Sequence, residues 1–435
     1  MHQTPKAALL ALALTAALSS LAGQATAAVA YLGLGEIPGT ARDGTGDSSL
    51  LEDGVTPKDL AGGFGSGLAH LGGNTYIAAP DRGPADGTTS YQDRLYTLRI
   101  NVAKAGASYV VKPSVVDAAL LTQTLTVKGA PAVRHFTGAN TAYDNTGAAV
   151  QARVPNSGSL RFDPEGIRVS QCGTSVFISD EYGPYIYEFN RRTGRLIRNL
   201  PVPNKFLVDN PSNNASSSEL LQNVSGRQSN RGMEGLAISP DGSKLYGIMQ
   251  SPLLQDGALT GTSRDGYNVR ILETDVATGA YKEYLYQLSD KGNGISEIVA
   301  VNDHELLVLE RDGKKGAAAV FKKIFKIDLA GATDIRTKPQ LPKLADAADP
   351  LLAGVQPVGK ALFIDMLDPA YGLAGDSFPE KLEGLAFGPD LADGRHLLIV
   401  SSDNDFDQAN SSKFFAFGID AADLNYQAQN IGCAE

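Results

Sequence analysis

Glutamate followed by glycine opens three similar segments of this sequence. The pairs are Glu165-Gly166, Glu234-Gly235 and Glu383-Gly384, and each leads into a short apolar run, a turn and a second apolar run. Carboxylates that recur at one position of a repeated segment are candidates for holding a cation and activating water. The chemistry they suggest is metal-assisted hydrolysis.

Acids or amides also stand where the second apolar run ends, namely Asp180 with Glu181, Gln250, and Asp403 with Asp405. Two weaker copies of the segment begin at Ser66 and Glu297 and end at Asp81 and Glu310. The sequence therefore contains five copies of one β-hairpin. Internal repetition of this kind is the strongest indication of the fold.

A second hairpin follows each copy and completes a unit of four strands. Alternating segments such as Arg94–Ile100, Tyr185–Asn190 and Val269–Asp275 predict the outer strands. Units of four antiparallel strands arranged around an axis predict an all-β fold, a β-propeller. An irregular β-sandwich is the alternative.

The number of blades and the closure of the ring can also be predicted. The span 103–159 is either an insertion or a sixth blade, so five or six blades are expected. The last unit lacks its fourth strand, and Tyr31–Ile37 is predicted to supply it.

The innermost strands of a propeller line its channel, and antiparallel pairing brings the start of one strand beside the end of the next. The repeated acids are therefore expected at one mouth of the channel. Crowded carboxylates raise one another's pKa or recruit a cation, and oxygen ligands suit Ca²⁺. The predicted metal ligands are Glu165, Asp180, Glu234, Glu297, Glu310, Glu383, Asp403 and Asp405. The predicted catalytic residues are Glu165, Asp180, Glu181, Glu234 and Glu383.

Arginines stand beside these acids and could bind the oxygens of a phosphate group, because a guanidinium is planar and bidentate. They are Arg82, Arg231, Arg270 and Arg311. The predicted substrate is a small-molecule phosphate ester. For any single glutamate, the alternative is that it only binds the amides of the adjacent turn.

The N-terminal residues predict export. Lys6, the apolar run Ala7–Ala22 and the small residues Ala25-Thr26-Ala27 are typical of a signal peptide cleaved near Ala27. The run is too short for a membrane anchor, and no later segment predicts a membrane span. The mature chain, 28–435, is expected to be one periplasmic or secreted domain.

Charge and cysteine content limit the possible partners and sites. The formal net charge of −10 argues against binding to nucleic acid, whose phosphates would be repelled. The only cysteines, Cys172 and Cys433, either form a disulfide or remain free thiols. Two cysteines do not provide a Cys-rich zinc site.

Four phrases of the sequence resemble the phytase-like family described as having esterase-like activity of phytase. They are Asp163–Ile167, Ser179–Gly183, Met233–Ala237 and Leu382–Ala386, and the resemblance covers roughly Gly65 to Phe417. It implies an exported bacterial protein whose acidic residues are catalytic, and it suggests phosphoester hydrolysis.

Three functions follow from these observations. The first is a metal-dependent phosphomonoesterase or phosphodiesterase. The second is a hydrolase of another ester or a lactone, with one metal held by Glu165, Glu234 and Glu383. The third is a propeller that binds a ligand, a glycan or a protein without catalysis.

Overall fold

The protein is a five-bladed β-propeller. The computed structural model describes residues 29–127, 130–139, 161–211, 217–260, 263–344 and 348–432. Within these ranges, five four-stranded antiparallel sheets surround a central channel. Each innermost strand contacts the innermost strands of both neighbouring sheets, and the first sheet contacts the last. The predicted fold class is confirmed and the β-sandwich is excluded.

Blades are numbered in chain order, and strands are given from the channel outward. Blade 1 contains Gly67–Gly72, Thr75–Ala79, Arg94–Ala105 and Ser108–Leu120. Blade 2 contains Pro164–Val169, Ser175–Asp180, Ile186–Asn190 and Leu196–Leu200. Blade 3 contains Met233–Ile238, Lys244–Met249, Asn268–Asp275 and Tyr281–Gln287. Blade 4 contains Gly294–Ala300, Glu305–Arg311, Lys322–Asp328 and Gly359–Asp365. Blade 5 contains Leu382–Phe387, His396–Ser402, Ser412–Ile419 and Val29–Ile37.

The elements outside the blades are short. Two extra hairpins pair Thr122–Val127 with Ala130–His135 and Ala258–Thr260 with Ser263–Asp265. One α-helix spans Ser217–Gln222, and Pro84–Gly87 is a helical turn in which Ala85 and Asp86 are left-handed. Single 3-10 turns occur at Asn204–Phe206, Gly316–Ala318, Pro350–Leu352 and Pro369–Tyr371.

The N-terminal strand closes the ring, as the sequence predicts. Val29 pairs with Ile419 and Ile37 with Ser412, antiparallel to the third strand of blade 5. In its described part, the span 103–159 does not form a sixth blade. Ser108–Leu120 belongs to blade 1, and the hairpin after it is separate from the five blades. Residues 140–160 lie outside the described ranges.

Apolar side chains pack mainly between neighbouring blades. Phe64, Tyr96 and Phe414 lie between blades 1 and 5, where the Phe64 and Tyr96 rings meet edge to face with centroids 4.8 Å apart. Complete burial of one such side chain contributes about 1.5–3 kcal/mol.

Glycines allow the innermost strands to approach one another closely. A Cβ atom on Gly166 would lie 2.3 Å from the backbone nitrogen of Leu236 in blade 3. A Cβ atom on Gly235 would lie 2.8 Å from Cα of Glu297 in blade 4. The glycine of the Glu-Gly pair therefore sets the radius of the channel, and any side chain there would force adjacent blades apart.

The C-terminal segment returns to blade 2. Gly432 donates its backbone N–H to Gln171 O at 2.8 Å, beside Cys172, which forms a disulfide. The only other cysteine of the chain, Cys433, lies outside the described residues, as does the predicted signal peptide 1–27. Among the residues that the structure describes, no helix has both the length and the apolar character needed to cross a bilayer.

Candidate metal centre

β-Bulges place the repeated glutamates at the mouth of the channel. In blade 3, Met233 pairs with Met249 and Gly235 with Ile248, which leaves Glu234 as the extra residue. Glu383 is the extra residue of blade 5 in the same way, and the pairing of blade 2 is irregular across Glu165. A bulge turns the side chain of its extra residue away from the regular alternation of the strand.

A second set of side chains stands where the second strands end. By register, the equivalent residues of blades 1 to 5 are Asp81, Glu181, Gln250, Arg311 and Asp403. Glu181 and Asp403 are held alike, because each donates its N–H to a carbonyl two residues before a bulged glutamate, Asp163 O and Lys381 O. The start and the end of each hairpin thus meet at one rim, as predicted.

Three acids of blade 2 form the first acidic group: Asp163, Glu165 and Glu181. One carboxylate oxygen from each lies within 4.8 Å of the others, and all three residues are buried. Arg82 of blade 1 donates Nη1 to Asp163 Oδ2 at 2.9 Å and to Glu181 Oε2 at 3.3 Å. The group is compact enough to hold one metal ion.

Glu234 adds an unsatisfied oxygen beside the first acidic group. Its Oε2 is buried and has no hydrogen-bond partner among the described residues. Burial, together with the negative charge of Glu383, raises the pKa of Glu234 to about 8. Burial and the charge of Glu234 raise the pKa values of Glu165 and Glu181 well above the usual range of a carboxyl group.

Negative charge exceeds positive charge in the first acidic group and the two glutamates beside it. Together they have five carboxyl groups: Asp163, Glu165, Glu181, Glu234 and Glu383. Their guanidinium partners are Arg82 and Arg311, and Arg311 Nη2 lies 2.6 Å from Glu383 Oε1. Protons or a divalent cation must balance the difference, because buried charges of one sign cannot all persist uncompensated.

A second acidic group, formed by Asp81, Asp403 and Asp405, already contains a cation. The Lys381 ammonium lies 3.7 Å from Asp81 Oδ2 and 3.4 Å from Asp403 Oδ2, and it also contacts Asp405. Lys381 stands two residues before Glu383, as Asp163 stands two residues before Glu165. The same position of the repeat thus carries an acid in blade 2 and a base in blade 5.

Blade 4 departs from the predicted alignment by one residue. Ile295 pairs with Glu310 and Glu297 with Leu309, so the extra residue of this bulge is Ser296. Glu297 therefore takes the position of the glycine and lies deeper in the channel. Its Oε1 accepts from Leu236 N at 2.9 Å, and its Oε2 lies 3.1 Å from Arg168 Nη2.

Glu310 also lies away from the predicted rim. It accepts hydrogen bonds from Tyr286 Oη at 2.7 Å and from Lys360 Nζ at 2.7 Å, between blades 3 and 4. Arg311 takes the rim position instead. Glu297 and Glu310, both predicted metal ligands, therefore bind other residues in this structure.

Asp180 and Arg270 have structural partners. Asp180 Oδ2 accepts from Gly183 N at 3.0 Å, and its Oδ1 accepts from Tyr182 N at 3.1 Å. Asp180 therefore binds the amides of the adjacent turn. Arg270 is fully buried and donates Nε to Asp256 at 2.7 Å and Nη1 to Glu283 at 2.8 Å. Arg270 does not reach the mouth, whereas Arg231 is half-buried next to Asn230, which binds Arg82.

The sequence does not predict three charged residues of the mouth as site residues: Asp81, Asp163 and Lys381. Asp81 ends a weaker copy of the hairpin, and the only signal for Asp163 and Lys381 is their position two residues before a bulged glutamate in blades 2 and 5. The types differ, so the repeat alone does not reveal them. Asp163 does occur in one of the phrases that resemble the phytase-like family.

Comparison with known proteins identifies the family. The profile of the phytase-like family, described as esterase-like activity of phytase, matches residues 60–406. The chain belongs to the phytase-like family. The matched span includes both acidic groups and all five innermost strands.

A fungal relative has similar length and is described as secreted. An uncharacterized secreted protein of Arthroderma benhamiae is 28% identical over an alignment of 461 positions, gaps included, that covers 86% of this chain and 86% of the relative. Among solved structures, glutaminyl cyclase of Myxococcus xanthus has a TM-score of 0.36 at 10% identity, covering 90% of this chain and 97% of its own. Hydrazine synthase of Kuenenia stuttgartiensis has a TM-score of 0.34 at 12% identity, covering 79% and 78%.

Proposed function

We propose that this phytase-like protein is a periplasmic or secreted Ca²⁺-dependent hydrolase of small phosphate esters. The observation that carries the proposal is the first acidic group, with its three buried carboxylates within 4.8 Å and the unpartnered Glu234 Oε2 beside them. The secreted relative and the predicted signal peptide support the location.

The residues fit a hard divalent cation. Asp163, Glu165 and Glu181 supply only carboxylate oxygens, the donors that Ca²⁺ prefers. Glu234 Oε2 is a fourth oxygen whose burial is costly unless it gains a proton or a cation partner. When bound, a cation supplies Lewis acid chemistry that polarises a phosphoryl oxygen.

Glu234 is the proposed base. With a pKa of about 8 it holds a proton in the cation-free protein near neutral pH. Added positive charge beside it would lower that pKa towards neutrality, where a carboxylate can accept a proton from an attacking water. Glu383, two blades further around the ring, keeps Arg311 oriented through its 2.6 Å ion pair.

Arg82, Arg231 and Arg311 are the proposed ligands of the phosphate group. Arg82 of blade 1 contacts the first acidic group, and Arg311 of blade 4 pairs with Glu383 and interacts with Glu234. Their positive charge draws an anionic ester to an acidic mouth that would otherwise repel it. Asp403 and Asp405 are both paired with the Lys381 ammonium. We propose that they bind a metal cation only if Lys381 moves away.

The test combines metal content with hydrolysis. Purified protein is analysed for Ca²⁺, and release of p-nitrophenol from p-nitrophenyl phosphate and bis-p-nitrophenyl phosphate is measured before and after EGTA treatment. Bound Ca²⁺ and activity that EGTA abolishes and Ca²⁺ restores are expected. Glu165→Gln and Glu234→Gln should each lower kcat/KM by about 10²-fold or more.

Asp117→Asn is the matched control, because it removes an exposed acid of the outermost strand of blade 1, which belongs to neither acidic group. It should retain activity. Activity that persists in EGTA, or in both glutamine variants, would overturn the proposed site. Cleavage of p-nitrophenyl acetate or a lactone without cleavage of the phosphate esters would favour another hydrolase, and Ca²⁺ binding without any hydrolysis would favour a binding protein.

A further inference from the structure

We propose that the opposite mouth of the channel is a second binding site, which takes a neutral, largely apolar small molecule. A cavity of about 560 Å³ lies there, within the range of small-molecule sites, ~300–1,000 Å³. It is distinct from the acidic mouth, because the innermost strands run from one mouth to the other.

The wall of the cavity is formed by the far ends of the innermost strands. Each innermost strand contributes one residue at the same register position. In the order of blades 1 to 5 these residues are His70, Val169, Ile238, Ala300 and Phe387. Four of the five are apolar. Burial lowers the pKa of His70, so its imidazole is uncharged at neutral pH.

The floor of the cavity is Arg168, which crosses the channel. Its guanidinium donates to the carbonyl oxygens of Leu68 at 3.0 Å and Ile298 at 2.6 Å, from blades 1 and 4. The ion pair with Glu297 neutralises its charge. Arg168 Nε is buried and has no hydrogen-bond partner in the described part of the chain. The floor therefore carries no net charge.

The roof is the C-terminal segment 424–432, which runs from blade 5 to blade 2. The Tyr426 ring stacks on Phe387 with centroids 3.9 Å apart. Gln427 N donates to Val301 O of blade 4 at 2.7 Å, and Gln429 Nε2 donates to Val169 O of blade 2 at 2.9 Å. This segment converts an open mouth into a covered cavity.

These features together define the chemistry of the ligand. Apolar walls favour a ligand with an apolar body. Arg168, the only Lys or Arg among the described residues that line the cavity, is already paired, which disfavours an anion. The phosphate esters proposed for the acidic mouth therefore do not belong in this cavity.

The test uses prodan, a neutral naphthalene ketone whose emission shifts to shorter wavelength in an apolar site. Saturable binding of about one prodan per protein is expected. Ala300→Phe fills the cavity and should raise Kd by about tenfold or more. Ala353→Phe, the same change at an exposed residue, is the matched control and should leave Kd unchanged.

Two further measurements test the cavity with a second variant and separate it from the acidic mouth. Ala428→Trp places bulk on the exposed roof, and it should also weaken prodan binding if Ala300→Phe does not fold. EGTA and Glu165→Gln should leave prodan binding unchanged, so failure of the proposed hydrolase does not affect this test. Non-saturable binding, equal binding by the filled variants, or preference for the anionic probe anilinonaphthalene sulfonate would overturn the proposal.

Discussion

The glutamates of the mouth differ in what surrounds them. Glu383 is paired with Arg311, Glu297 with Arg168, and Glu234 Oε2 has no partner within the described ranges. Three acids with almost the same local sequence therefore have three electrostatic roles. The sequence predicts their presence at the channel, but the partner of each comes from another blade and is set by register.

Stability should depend on pH through these carboxyl groups. Burial raises the pKa of Glu234 to about 8 and those of Glu297 and Asp180 to about 7, from ordinary values of 4.5, 4.5 and 3.8. The folded protein thus holds protons that the unfolded chain releases. This stabilisation is complete below the ordinary pKa values and is lost as pH rises through about 7 to 8.

Scanning calorimetry of EGTA-treated protein should therefore show Tm falling between pH 6 and pH 9. Glu234→Gln should make the fall smaller, because it removes one of the carboxyl groups whose pKa is raised by burial. Added Ca²⁺ should also reduce the fall. A Tm that stays constant or rises over this range would show that the carboxyl groups are not protonated in the fold.

At the scale of the element, bulges and glycines decide what each strand presents to the channel. Alternating apolar residues predict the strands and even the ring closure, because a repeat is visible locally. A bulge is not visible in that way, since it changes the register by one residue without changing the composition. For this reason the sequence groups Glu297 with Glu234 and Glu383, although Ser296 is the structural equivalent of those two glutamates.

Gly166→Ala should destabilise the protein by about 1–3 kcal/mol, because its Cβ would overlap the backbone of blade 3. Urea unfolding gives the free energy change. Gly313→Ala is the control: no atom lies within 4 Å of its added Cβ, and it should be neutral or slightly stabilising. Equal effects of the two changes would show that the inner strands are less tightly packed than described.

Arg168→Met should cost about 3–5 kcal/mol, because it leaves Glu297 buried and unpaired. The double variant Arg168→Met/Glu297→Gln should be more stable than Arg168→Met alone. Urea unfolding of the two single variants and the double variant gives the coupling. Additive losses would contradict a direct ion pair across the channel.

At the scale of the whole molecule, both ends of the chain hold the ring together. The N-terminal strand completes blade 5 through main-chain hydrogen bonds, and the C-terminal segment crosses to the disulfide-bonded Cys172 of blade 2. The sequence predicts the closure by the N-terminal strand, because the last blade lacks a strand. It does not predict the disulfide of Cys172, because two distant cysteines do not reveal whether the fold brings them together.

Cys172→Ser should lower the free energy of unfolding by about 2–4 kcal/mol, the usual contribution of a disulfide. Hydrolysis at the acidic mouth should remain within a factor of about two at 25 °C, a change smaller than 1 kcal/mol. Urea unfolding and the p-nitrophenyl phosphate assay measure the two effects. A large loss of activity with unchanged stability would show that the two mouths are coupled.

The pairing of the N-terminal strand with the third strand of blade 5 also sets the order in which the protein can fold during synthesis. Val29 is made early, yet its partner Ile419 leaves the ribosome 390 residues later (419 − 29). The first strand therefore has no pairing partner while blades 1 to 4 are synthesised and fold. Until the last hairpin arrives, the nascent chain carries an open sheet edge at each end, and a chain that stops short of residue 412 keeps both edges exposed to its neighbours.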